Sequence, residues 1–105
     1  MRYHGNMKLE EALKMVREEN LTKTQLEDDH TKITDLFIQL QLECADKEKE
    51  EALFMSKKEP HDSVAQMKIF WRASAGGQRL IVLKRYISAT SKMLDSIKRR
   101  LYLIY

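Results

Sequence analysis

Cysteine occurs once in 105 residues, at Cys44, so no disulfide can form within the chain. A lone thiol agrees with a reducing compartment. Proline also occurs once, at Pro60, and glycine three times, which leaves few places for sharp turns. No apolar run approaches the roughly 20 residues needed to cross a bilayer, and no N-terminal stretch has the form of a signal peptide. The expectation is a soluble, intracellular protein without a transmembrane segment. Asn20-Leu21-Thr22 matches a glycosylation sequon, but without an export signal it carries no meaning as one. The soft metal ligands are His4, His30, Cys44 and His61, and no two lie closer than 14 residues. Zinc sites use tight local pairs, so neither a metal nor any other cofactor is expected.

What the chain has in quantity is charge, 33% of residues, beside an apolar fraction of 43%, a mixture suited to helical bundles and coiled coils. The length suits one domain. Residues 1–63 hold 10 basic and 15 acidic side chains (−5), whereas residues 64–105 hold 9 and 1 (+8), which together give the chain's +3. This division permits pairing within the chain, pairing with a second copy, or attraction of an external anion.

The longest regular signal lies in 78–105. Leu80, Leu83, Ile87, Thr90, Leu94, Ile97, Leu101 and Ile104 alternate at steps of three and four, the seam of a packed helix. Its opposite face is basic: Arg85, Lys92 and Arg99 lie seven apart, flanked by Arg79, Lys84, Lys98 and Arg100, with only Asp95 opposing them. A second seam, Leu26, His30, Ile33, Phe37, Leu40 and Cys44, defines a helix over about 25–58. Leu36, Ile38 and Leu42 fall off it, so this helix is apolar over more surface than one neighbour covers. At 1.5 Å per residue it spans on the order of 50 Å, too long for a compact sphere.

Shorter helices are expected over about 7–19, opened by Asn6, and over about 64–75, opened by Ser63 with Gln66 and carrying Val64, Met67, Phe70 and Trp71 on one face. Thr24 with Glu27 has the form of a capping box, which places a break near 20–24; the lack of glycine or proline from 7 to 58 leaves a single continuous helix as the alternative. Gly76-Gly77 separates the third helix from a fourth over about 78–103. A strand hairpin about these glycines competes with that assignment, but the seam is longer than an ordinary strand.

No constellation suggests catalysis. His30 and Cys44 share a face but stand about 21 Å apart along a continuous helix, beyond the reach of a nucleophile and its base. His30 is expected to be a partly buried or capping residue and Cys44 a small apolar one. The carboxylates of 43–51 are interleaved with lysines, leaving no acid and base driven apart in pKa. The sequence Arg72-Ala73-Ser74-Ala75-Gly76-Gly77-Gln78 resembles the Gly-Gly-Gln loop of class I peptide release factors, and the resemblance implies that Gln78 helps place a hydrolytic water. It covers seven residues, lacks the family's extra glycine after the serine, and has Arg79-Leu80-Ile81 where the family has His-Val-Asn.

The sequence therefore points to an all-α, elongated, coiled-coil-like antiparallel bundle of three or four helices, paired as a homodimer. The expected function is non-enzymatic: an interaction or assembly protein that binds another protein or itself. The candidate packing and interface residues are Leu26, Ile33, Phe37, Leu40, Trp71, Leu80, Leu83, Ile87, Leu94, Ile97 and Leu101. The alternative is a dimeric viral or regulatory nucleic-acid binder. It would grip a duplex backbone with Arg79, Lys84, Arg85, Lys92, Lys98, Arg99 and Arg100, which extend along about 30 Å of helix. A membrane surface is a weaker target, since the apolar seam is needed for the core.

Overall fold

The protein is described here by a computed structural model covering residues 7–104. Four helices fill that span: α1 (Leu9–Arg17), α2 (Lys23–Ser56), α3 (Val64–Ala73) and α4 (Ala75–Ile104). No strand occurs among the described residues, so the hairpin about Gly76-Gly77 is not formed. The molecule measures 61 × 30 × 18 Å with a radius of gyration of 18.3 Å, well above the ~13 Å of a compact domain this size. It is an elongated helical bundle.

Local chemistry sets the breaks. The capping box opening α2 is Thr22 with Gln25, two residues before the expected pair Thr24 and Glu27. The Gln25 amide donates to Thr22 Oγ1 at 3.1 Å, and the Thr22 amide donates to Gln25 Oε1 at 2.8 Å. Asn20, at φ 58°, turns the chain between α1 and α2, a left-handed conformation that asparagine tolerates better than most residues. The two helices are therefore separate. Lys8 stands at the N-cap of α1 and offers no side-chain cap; Asn6 lies outside the described residues. After α2, the Glu59 amide donates to Asp62 Oδ2 at 2.8 Å in the turn containing Pro60, and Ser63 caps α3 by accepting from the Gln66 amide.

The break between α3 and α4 falls at Ser74, not at the glycines. Ser74 Oγ donates to the Trp71 carbonyl and accepts from the Gly77 amide at 3.1 Å, closing one helix and opening the next with one hydroxyl. Gly76 and Gly77 therefore sit in the first turn of α4. A Cβ on Gly77 would lie 1.9 Å from the Trp71 carbonyl oxygen, so only glycine permits α4 to start this close to α3.

α2 and α4 run antiparallel as the two main struts, since Glu43 meets Arg79 while Lys23 and Glu27 share a cleft with Lys98 and Tyr102. Their central rows are sealed: Leu26, Ile33 and Leu40 on α2, and Leu83, Thr90 and Ile97 on α4. Thr90 is fully buried without cost because its Oγ1 donates to the Tyr86 carbonyl at 2.7 Å. A further row on each strut, absent from the two-row seams read in sequence, faces α1: Leu36 and Glu43 on α2, Arg79 and Tyr86 on α4. Leu36 and Met93 in these rows are buried.

α3 covers the far end of α2, where the Phe54 and Trp71 rings lie 6.0 Å apart. Its buried residues are Met67 and Trp71; Val64 and Phe70, expected on the same face, are exposed. Met67 and Trp71 lie only 40° apart around the helix, whereas Phe70 lies 100° from Trp71 at the edge of the stripe and Val64 is the first residue of α3. α2 touches all three other helices, yet Ile38 and Leu42 remain exposed, the latter at 63%.

Candidate interaction surface

The seven cations proposed to form one stripe divide into two groups. Arg79 and Arg100 end the α4 row that continues through Tyr86 and Met93, and both are engaged within the chain. Arg79 grips Glu43 with two hydrogen bonds, Nε to Oε2 at 2.6 Å and Nη2 to Oε1 at 2.9 Å. That fork holds the Glu43 carboxyl below its ordinary pKa. Arg100 donates to the Val16 carbonyl at 3.0 Å and to the Glu18 carbonyl at 2.7 Å, satisfying backbone groups at the end of α1 that no helical turn follows. Nearby, partial burial raises the Asp29 pKa, helped by Glu18 and Asp28 and opposed by Lys32 and Arg100. These two arginines anchor α1 and α2 to α4. They are not available to an external anion without breaking those bonds.

Lys84, Arg85, Lys92, Lys98 and Arg99 form the other group. All five are exposed, and none makes an ion pair among the described residues. Arg85, Lys92 and Arg99, seven apart, span about 21 Å on the outer side of α4.

The apolar candidates divide in the same way. Leu26, Ile33, Leu40, Trp71, Leu80, Leu83 and Ile97 are buried within the chain. Phe37 on α2 and Ile87, Leu94 and Leu101 on α4 are only half-buried, although the three α4 residues lean on sealed neighbours. At 100° per residue, Ile87, Leu94 and Leu101 continue the row of Leu80 on the flank of α4 away from α1, and Phe37 lies with His30 and Cys44 on the matching flank of α2. α1 lies on the opposite flank, while α3 reaches the Glu48 end of this one, where Lys68 and Arg72 share a cleft with Glu48. By the same periodicity Glu27, Thr34, Gln41 and Glu48 border it on α2, and Lys84, Ser91 and Lys98 border it on α4. At one end Glu27 and Lys98 line one cleft with Leu101 and Tyr102. Towards the other, Glu48 and Lys84 both act on Cys44, whose thiol is pushed up in pKa first by burial and then by the Glu48 carboxylate, 3.7 Å from Sγ. A thiol held protonated is a poor nucleophile.

Comparison with protein-family models, with curated proteins and with solved structures finds no match.

Gln78, to which the release-factor resemblance gave a hydrolytic role, donates through Nε2 to the Arg72 carbonyl at 2.6 Å, tying α4 to the end of α3. Its two glycines are helical and packed against Trp71, so the segment is a helix junction and not a free loop. His30 is half-buried, and His61, 82% exposed, lies 3.6 Å from Asp62 in the α2–α3 turn. Among the described residues no three His, Cys, Asp or Glu side chains are grouped to hold a metal, and no helix is long and apolar enough to cross a membrane.

Tyr86, Met93 and Glu43 are the residues that sequence reasoning missed, while Leu36 was read only as falling off the second seam. Their signal was present as sevenfold rows, 79-86-93-100 and 29-36-43. Each of those rows ends in charge, so an apolar template passes over them.

Proposed function

We propose that this chain is a non-enzymatic interaction and assembly protein that binds a helical protein surface along the open α2–α4 face. The observation that carries this is the contrast between adjacent rows of one helix: Leu83, Thr90 and Ile97 are sealed, while Ile87, Leu94 and Leu101 are half-open. A continuous apolar row flanked by charge suits an added helical layer, which would complete the bundle by the same ridge-and-groove packing as its interior. Binding of this kind depends on apolar area and changes little with salt.

A second reading, a nucleic-acid backbone binder, is favoured by the five exposed cations of α4 that lack ion partners. Anisotropy of a labelled 20-base-pair RNA or DNA duplex at low and high salt separates the two. The assembly reading expects no binding that survives at moderate salt and none that depends on Arg85, Lys92 and Arg99. Duplex binding that falls steeply with salt, and is lost on replacing those three by glutamate while the helical circular dichroism is unchanged, would replace the first reading with the second.

A further inference from the structure

We propose that the outer face of α4 docks on a membrane surface rich in anionic lipid, with the Tyr102-Leu103-Ile104 turn inserted at the interface and Arg85, Lys92 and Arg99 on the headgroups. This surface is not the α2–α4 flank, so the proposal does not depend on a partner there.

The apolar seam of α4 is sealed in the core as far as Ile97, and Leu101 still leans on it, so the body of the helix has no apolar face to give to lipid. The turn that follows is different. Tyr102 is 86% exposed, Leu103 74% and Ile104 64%, although Ile104 continues the seam by sequence. Set 100° apart, these three side chains cover about 200° of the helix circumference, more than one neighbouring helix can bury. An end of a helix dipped into a lipid interface is covered on all sides at once.

The charge beside this turn has the sign that anionic headgroups require. Lys84, Arg85, Lys92, Lys98 and Arg99 are exposed, and Asp95 is the one acid in α4. At 100° per residue, Ile81, Arg85, Lys92, Arg99 and Leu103 fall within about 40° of one another, a line about 33 Å long. It begins and ends on an exposed apolar side chain and carries three cations between. At its Leu103 end, Lys23 of α2 joins Lys98 and Arg99 around a cleft that also holds Leu101 and Tyr102, with Glu27 and Asp95 opposing the three cations. A nucleic-acid backbone would use the cations and leave Tyr102, Leu103 and Ile104 in water. An anionic bilayer uses both, because long basic side chains reach the phosphates while tyrosine and leucine settle at the interface. No helix among the described residues is long and apolar enough to cross the bilayer, so the attachment is peripheral.

Sedimentation with vesicles of phosphatidylcholine alone, and of phosphatidylcholine with about 30% phosphatidylserine, tests this at low and high salt. The chains compared are the wild type, Tyr102→Ser with Leu103→Ser, and Arg85→Glu with Lys92→Glu and Arg99→Glu. The wild type is expected on the anionic vesicles and not on the neutral ones, with binding that falls as salt rises. Each variant, altered only at exposed positions and checked for unchanged helical circular dichroism, should bind about tenfold more weakly or worse. Leu103→Trp places a reporter in the turn. Its emission should shift to the blue on anionic vesicles, beyond any change in the wild type, whose one tryptophan, Trp71, is buried. Should the charge variant lose its helices, the salt dependence of the wild type and the comparison of the two lipids decide in its place. No binding to anionic vesicles at low salt overturns the proposal, and equal binding to neutral vesicles overturns the part given to the cations. Binding that the serine variant keeps in full, with no blue shift at position 103, overturns insertion and the membrane assignment with it. If a short RNA duplex then displaces the protein from the vesicles, the cations belong to nucleic acid.

Discussion

At the scale of single residues, the bundle depends on a few positions where no other side chain fits. Gly77 is one, because a Cβ there would enter the Trp71 carbonyl. A glycine in an exposed helix normally gives up about 1 kcal/mol relative to alanine, so Gly→Ala would be expected to stabilise. Here the sign reverses. Gly77→Ala should lose about 1–3 kcal/mol in urea unfolding, as other overpacked sites do. The sole tryptophan, Trp71, should report the displacement by a red-shifted emission. An alanine variant as stable as wild type would show that α3 and α4 do not approach this closely. Thr90 and Asn20 illustrate the same dependence on local chemistry: a hydroxyl is buried because a carbonyl four residues back accepts from it, and a left-handed turn is made without glycine because asparagine accepts it.

At the scale of elements, the ties between helices are polar at the ends and apolar between them. The Arg79–Glu43 fork joins the struts, and its partners are each about 40% exposed, so its contribution to stability is at most about 1 kcal/mol. Its pH dependence has a definite sign. The folded-state pKa of Glu43 is depressed below 4.5, so the stability it adds is present above that value and is lost as the pH falls through the folded pKa. Glu43→Gln should therefore be slightly less stable than wild type at pH 7 and indistinguishable from it once the carboxyl of the wild type is protonated. Chemical unfolding across the acid range measures this, and a gap that stays constant would refute it. Asp29 has the opposite sign: its pKa is raised above 3.8, so its ionisation opposes folding as the pH rises, and protonation at lower pH removes that cost.

At the scale of the whole molecule, shape and assembly are linked. A single chain is 18 Å in its thinnest dimension and 61 Å in its longest. A helical partner bound along the proposed α2–α4 face would add a layer along the thin direction. Small-angle scattering of such a complex should then show a radius of gyration only slightly above the 18.3 Å of the chain alone. End-to-end association through the exposed Tyr102-Leu103-Ile104 turn would instead extend the long axis and raise that radius much further. The same scattering curve distinguishes the two modes without any variant.

The sequence by itself determined the helices and the approximate length of the struts. Steps of three and four residues reflect the geometry of one helix, and they hold whatever the helix packs against. Only the tertiary structure decided which charges are used internally and which apolar residues stay open. Arg79 and Arg85 look alike in a list of cations, yet one is fixed by a carboxylate 36 residues away and the other faces outward. Ile87 and Ile97 belong to one seam, yet one row faces the centre of the hairpin and the other faces its uncovered flank. Gly76-Gly77 marked a junction in sequence, but its exact break passed to Ser74 because the cap is a hydrogen bond, made only when Trp71 and Gly77 are brought to the same hydroxyl. Periodicity is local information; the choice among partners for a given charge or apolar row is made by whichever element arrives beside it.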